Sequence, residues 1–172
     1  MRRAFAVALT AAAFLTQSHV VSAAVSLGPN FDPKGEVHMA SLMQSDPVTT
    51  TASFNTGFAA IPGLTMPITI PRGKIADVKI LFTGEMNSAD AGFVSAVVDG
   101  SPAPPGVVQA FWGVHGGATS QSASFSAFLT EGAHFIQMQW GGLGGQQFMS
   151  LRSMIVIVNL RRTVGQQVRP NS

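Results

Sequence analysis

The chain has 172 residues, of which 10% are charged, with a formal net charge of +2 and no Cys. The absence of Cys excludes disulfides, thiolate nucleophiles and Cys-ligated metal sites. Basic residues are not clustered, apart from three arginines near the C-terminus, so we expect no nucleic-acid partner.

The N-terminal segment, residues 1–23, has the organisation of a secretory signal peptide. Arg2 and Arg3 form a charged region, residues 4–15 form an apolar region, and small residues then suit cleavage after Ala23 or Ala24. An apolar run of this length is too short to span a bilayer as a helix. We therefore expect a secreted or periplasmic protein rather than one with a membrane span.

The rest of the chain divides into three parts. Residues 24–46 are irregular and contain Gly and Pro turns, which favours an N-terminal arm or spacer with a short strand at 36–43. Residues 47–160 are expected to form the folded domain. Residues 161–172 are polar and are expected to form a flexible tail.

Alternating apolar and polar residues predict strands throughout this domain and no helix. Pro67 lies inside one alternating run and indicates an edge strand, because proline cannot donate a ladder hydrogen bond. The predicted strands cover residues 48–54, 64–70, 76–83, 93–98, 107–112, 120–129, 133–140 and 148–158. Such closely spaced strands with Gly and Pro turns predict an all-β fold, a jelly-roll-like two-sheet β-sandwich of about eight strands.

The two runs on either side of residues 131–132 predict a β-hairpin, because Gly132 can take the positive φ of a tight turn. His134 is expected at its rim, where it hydrogen-bonds across the hairpin. The side chains of the second strand predicted to face the core are Ile136, Met138 and Trp140.

Several short motifs carry a resemblance. They are Ile61-Pro62-Gly63-Leu64, Thr69-Ile70-Pro71-Arg72-Gly73, Val97-Val98-Asp99-Gly100, the segment from Gly132 to Trp140, and Leu151-Arg152-Ser153. With them the chain resembles small exported bacterial jelly-roll or β-sandwich proteins. In strand pattern it is similar to the trimeric jelly-roll heads of the tumour-necrosis-factor and complement type. The resemblance covers about residues 48–158 and implies a sandwich and, by analogy, a trimer. It implies no functional residue.

No motif predicts catalysis or metal binding. The sequence lacks Gly-x-Ser-x-Gly, His-Glu-x-x-His and Asp-x-Asp-x-Asp-Gly. We therefore expect no catalytic residue, metal ligand or cofactor. A hydrolase is the least favoured alternative. Glycosidases use paired carboxylates, and the four considered for such a pair, none of them in a recognisable motif, are Asp77, Glu85, Asp90 and Asp99.

Three residues are candidates for ligand binding. Trp112 and His115 lie next to a glycine-rich loop, where an aromatic ring and an imidazole could contact a sugar or a peptide, and Asp99 follows a predicted strand. The alternative is that Trp112 is a core residue, His115 is only exposed, and Asp99 serves its turn.

These observations favour an exported, non-catalytic β-sandwich that acts as an assembly or binding module. The chain has few charges. Adjacent apolar residues, such as Phe93-Val94 and Phe135-Ile136, also place apolar side chains on both faces of a strand, because neighbouring residues point to opposite sides. Self-association would cover them, and the resemblance favours a trimer. The alternative is a carbohydrate-binding or adhesin-like module that uses Trp112, His115 and Asp99, with a glycan or protein ligand.

Overall fold

A computed structural model describes residues 36–88, 91–111 and 119–162. These residues form ten strands and no helix, so none of them lies in a helix able to span a membrane. The strands are β1 (Glu36–Gln44), β2 (Val48–Thr50), β3 (Ala59–Ile70), β4 (Lys74–Ser88), β5 (Gly92–Val98), β6 (Ser101–Pro102), β7 (Val108–Phe111), β8 (Thr119–Leu129), β9 (Gly132–Gly142) and β10 (Gln147–Arg162).

The strands form two antiparallel sheets that pack face to face. Sheet I has the order β1-β10-β4-β8, with β2 also paired to β10. Sheet II has the order β3-β9-β5-β6, with β7 also paired to β5. When the short strands β2 and β6 are set aside, the first principal strand pairs with the last, β3 with β9, β4 with β8, and β5 with β7. This is the winding of a jelly roll, which confirms the predicted fold class.

The first principal strand was assigned by sequence to the arm. Glu36–Gln44 instead pairs along its whole length with β10 and closes one edge of sheet I. Val37, Met39 and Met43 point to solvent, whereas the inward side carries the buried Leu42 together with Glu36 and His38, which pair at 2.6 Å. The short strand predicted at residues 36–43 is therefore present, but the polar residues on its inward side gave no sign that it belongs to the folded domain. At the other end of the domain, β10 continues through Arg162 into the predicted tail.

The predicted hairpin at residues 120–140 is wrong. Strand β8 pairs with β4 in sheet I, whereas β9 pairs with β3 and β5 in sheet II, so Thr130 and Glu131 form an arch between the sheets. Glu131 Oε2 accepts a 2.6 Å hydrogen bond from the backbone N–H of Gly73 in the neighbouring β3–β4 connection. The two crossings between the sheets are therefore linked at one end of the sandwich.

The core lies between the sheets and contains the residues predicted for β9. Ile136, Met138 and Trp140 are all buried, as expected for one face of a strand in a sandwich. Strand β3 lies at the edge of sheet II, which confirms the position inferred from Pro67. Phe135, on the opposite face of β9, is exposed.

Candidate functional site

Two of the three predicted ligand-binding residues, Trp112 and His115, lie outside the described residues. The third, Asp99, lies in the two-residue turn between β5 and β6, where Asp99 and Gly100 have φ values of 50° and 82°. Positive φ at both positions is typical of the type I′ turn that Asp-Gly favours, because it matches the twist of the flanking strands. The carboxylate of Asp99 is hydrogen-bonded to other residues of the protein and is not left open to a ligand in a loop.

Asp99 joins the β5–β6 turn to the start of β9. Its Oδ1 accepts a 2.8 Å hydrogen bond from the Phe135 N–H, and its own N–H donates to the Phe135 carbonyl at 3.0 Å. Its Oδ2 lies 2.6 Å from His134 Nδ1. His134 Nε2 lies 2.9 Å from the carbonyl of Thr130, in the arch. The hydrogen bonds with Asp99 thus fix the backbone of Phe135 through both its N–H and its carbonyl group.

The partners of His134 favour its doubly protonated form. A carboxylate and a carbonyl oxygen are both acceptors, so both ring nitrogens must carry a proton to satisfy them. Burial opposes the charge, but the hydrogen bonds with Asp99 and Thr130 raise the pKa of His134 above its usual value. Burial likewise opposes ionisation of Asp99, but hydrogen bonds from His134 and from the Phe135 backbone lower the pKa of that carboxyl. His134 therefore has a structural role, as expected, but its partners lie in the β5–β6 turn and in the arch and not across a hairpin.

The carboxylates considered for a hydrolase are not brought together. Asp77 and Glu85 lie on the same face of β4 about 27 Å apart, given about 3.4 Å per residue, whereas glycosidases need about 5–10 Å. Asp77 pairs with Arg161, and Glu85 accepts a hydrogen bond from Ser150. Asp90 lies outside the described residues. Within the described ranges, no three His, Asp or Glu residues are grouped to hold a metal ion.

The outer face of sheet I exposes several apolar side chains of the described strands. On β1, Met39 is 71% and Met43 76% exposed. Ile155 and Ile157 of β10 lie beside this strand and are half-buried, and Leu81 of β4 continues the same row. Exposed apolar patches of this kind mark interaction sites in soluble proteins.

This face has a hollow at one end and a projecting ring at the other. The hollow has a volume of about 430 Å³ and is lined by Met43, Thr83, Glu85 and Leu151, among others. Phe128 of β8 projects 61% exposed from the opposite end of the face, in the row of Asp77. The face thus carries a hollow at one end and, at the other end, the ring of Phe128, which could fill the hollow of a second copy.

The charges on this face are also separated. Lys79 and the Arg161–Asp77 pair lie toward the end that carries Phe128, whereas Glu85 lies in the hollow at the other end. Lys79 gives the end with Phe128 a positive charge and Glu85 gives the hollow a negative one, while Arg152, which also lines the hollow, is paired with Asp46. Opposite charges at the two ends let two copies meet in antiparallel orientation, about a two-fold axis, with complementary potentials.

The sequence did not reveal this surface. The apolar residues of β1 lie in the segment assigned to the arm, and only their pairing with β10 places them beside Ile155 and Ile157. The signal that could have found them is the alternation of Val37, Met39 and Met43 with polar inward residues.

The chain was compared with known proteins once its geometry was defined. No family model matches it, and no curated protein matches its sequence. Among solved structures, it is similar to the "Structure of infectious bursal disease virus Gt strain", with 13% identity and a TM-score of 0.47, over 83% of this chain and 41% of that one. It is also similar to the "Crystal structure of infectious bursal disease virus VP2 subviral particle", with 12% identity and a TM-score of 0.42, over 83% and 42%. The chain spans less than half the length of these structures, and the description of its fold rests on its own strand pairing.

Proposed function

We propose that this protein is an exported, non-catalytic β-sandwich that works as an assembly module, with a second copy of itself bound to the outer face of sheet I. The observation that carries the proposal is the apolar surface formed by β1 and β10, with Met39 and Met43 exposed beside Ile155 and Ile157. Export rests on the signal-peptide pattern of residues 1–23.

The size of this face suits a partner as large as the protein itself. Its four long strands present about twenty outward side chains, close to the 20–30 residues that a stable protein–protein interface uses on each side. The centre of the face is apolar around Ile155, Leu81 and Ile157, with Lys79 directly beside Ile157, and Glu85 and the Arg161–Asp77 pair lie nearer the ends. An apolar centre with a polar rim is the usual anatomy of an interface.

A two-fold axis across the strands, near Leu81 and Ile155, makes the face complementary to itself. Such an axis brings the end with Phe128 of one copy over the hollow of the other, and the reverse contact follows by symmetry. It also brings Glu85 of each copy over the row that holds the Arg161–Asp77 pair of the other copy. This arrangement gives a dimer as the smallest assembly, in place of the trimer favoured by the resemblance.

The test is the solution mass of the purified exported protein, measured by light scattering over a tenfold range of micromolar concentrations. We expect a dimer that Met39→Asp converts to monomer, since that change puts a charge in the apolar part of the interface. Leu143→Asp is the matched control, because Leu143 is also an exposed apolar residue but lies in the β9–β10 connection. It should leave the mass unchanged.

A monomer at every concentration would overturn the assembly proposal. A trimer that Met39→Asp still dissociates would overturn the two-fold arrangement but keep the face. Dissociation by Leu143→Asp, with Met39→Asp without effect, would place the interface elsewhere.

A further inference from the structure

A second surface, on the opposite side of the molecule, has a different chemistry. The outer face of sheet II has a trough of about 300 Å³, lined by side chains that include Thr65, Pro102, Phe135, Gln137 and Gln139. This volume is at the lower end of the range for small-molecule sites. The trough crosses strand β9 and its neighbours β3 and β5, and reaches β6 on the far side of β5.

Phe135 gives one end of the trough an exposed aromatic ring. The ring is 58% exposed, and Pro67 lies directly opposite on β3. Asp99 holds the Phe135 backbone through both its N–H and its carbonyl, so the ring projects from a fixed position. An exposed aromatic on a rigid sheet needs little ordering on binding, which preserves affinity.

Beside the ring runs a row of amides and a hydroxyl. Gln139 Nε2 donates to Gln137 Oε1 at 3.2 Å, and Gln137 Nε2 is 3.5 Å from Thr65 Oγ1. Each amide nitrogen carries two N–H groups, so these contacts leave one on each side chain, together with the carbonyl oxygen of Gln139. The row therefore offers donors and an acceptor on rigid strands.

The lining excludes a charged ligand. None of the side chains described for this trough carries a charge, so an ionic ligand would lose its hydration without gaining a counter-charge. A ligand that matches an aromatic ring and a row of amides is neutral, with vicinal hydroxyls and an apolar C–H face. A pyranose ring has these properties.

Other occupants fit less well. A peptide that adds to a sheet as a strand needs an open edge. Strand β9 is paired on both sides, with β3 and with β5, and the edge strand β3 is interrupted by Pro67, which lacks a backbone donor. A second copy would need about 20–30 residues on each side, far more than this trough presents. We infer that the trough on the outer face of sheet II is a binding site for a neutral glycan, with Phe135 stacking on a sugar ring and Gln137 and Gln139 hydrogen-bonding to its hydroxyls.

The test is electrophoresis of the purified exported protein in native gels that contain soluble polysaccharides. The probes are neutral β-glucan, xylan and mannan, with acidic polygalacturonate and denatured casein as the alternative ligands. We expect at least one neutral polysaccharide to retard the protein, and Phe135→Ala to weaken that binding at least tenfold. Gln137→Ala should weaken it too.

Phe128→Ala is the matched control, since Phe128 is an equally exposed ring on the outer face of sheet I. It should leave the retardation unchanged and reduce dimerisation, while Phe135→Ala should do the reverse, so the two proposals can fail separately. The inference is overturned if no neutral polysaccharide retards the protein. It is also overturned if only polygalacturonate or casein does, or if Phe135→Ala binds like the unmodified protein.

Discussion

Replacement of Arg152 by methionine should destabilise the fold strongly. Arg152 is only 2% exposed and points inward from β10. Its Nε donates to the Pro62 carbonyl at 3.0 Å, and Nη1 donates to the carbonyls of Asp46 and Ser150 at 2.5 and 3.2 Å. Nη2 completes the network with Asp46 Oδ1 at 3.1 Å. One guanidinium thus holds the β1–β2 connection and the start of β3 against β10.

The size of the expected loss of stability follows from the carbonyl oxygens that lose their hydrogen-bond donor. Arg152→Met keeps most of the side-chain volume but leaves three carbonyl oxygens without their donor, at about 1–3 kcal/mol for each one that stays dry. Asp46 is half exposed, so water can replace part of the loss there. We expect a decrease in the free energy of unfolding of about 3–5 kcal/mol, a large part of the 5–15 kcal/mol typical of a domain.

Urea denaturation followed by circular dichroism measures this change. With a denaturant slope of about 2 kcal/mol per molar, the midpoint should fall by about 2 M. Arg161→Met is the matched control, because the Arg161–Asp77 pair is exposed and should contribute less than about 1 kcal/mol. Arg152→Lys should lie between the two, since lysine keeps the charge but lacks the planar fork. Equal midpoints for Arg152→Met and Arg161→Met would refute the reasoning.

Two further predictions concern strand β9 and its start. Met138→Asp should unfold the domain, since an unpaired charge would be buried, whereas Gln137→Asp on the outer face should change stability by less than about 0.5 kcal/mol; thermal melts that rank them the other way would shift the register by one residue. The pair of Asp99 and His134 should make stability pH-dependent. Because the pKa of His134 is raised in the folded protein, protonation of His134 stabilises the fold below pH 6.5, and this stabilisation is lost as the pH rises through the pKa of the folded state. Because the pKa of Asp99 is lowered in the folded protein, ionisation of Asp99 stabilises the fold above pH 3.8, and this stabilisation is lost as the pH falls through the pKa of the folded state. Urea midpoints should therefore be highest between these values, and a His134→Gln variant whose midpoint still falls between pH 6 and 8 as in the unmodified protein would contradict this.

Much of the fold follows from the sequence, because alternation and turn chemistry are local. Apolar residues at every second position indicate that one side of a strand is buried. This pattern predicted that Ile136, Met138 and Trp140 lie in the core, where the structure has them. Pro67 marked an edge because its missing N–H is a property of the residue itself. The Asp99-Gly100 turn follows for the same reason, as both residues tolerate positive φ.

The tertiary structure alone decided which sheet each strand joins. Alternation in β8 and β9 is the same whether they pair with each other or face each other across the core, so it predicted a hairpin where the chain forms an arch. Arg152 binds Asp46, which lies 106 residues earlier in the sequence, and no local sequence pattern encodes such a contact. The same holds for both candidate surfaces. Each is a row of side chains from separate strands, and these rows exist only after the jelly roll has brought β1 beside β10 and β9 between β3 and β5.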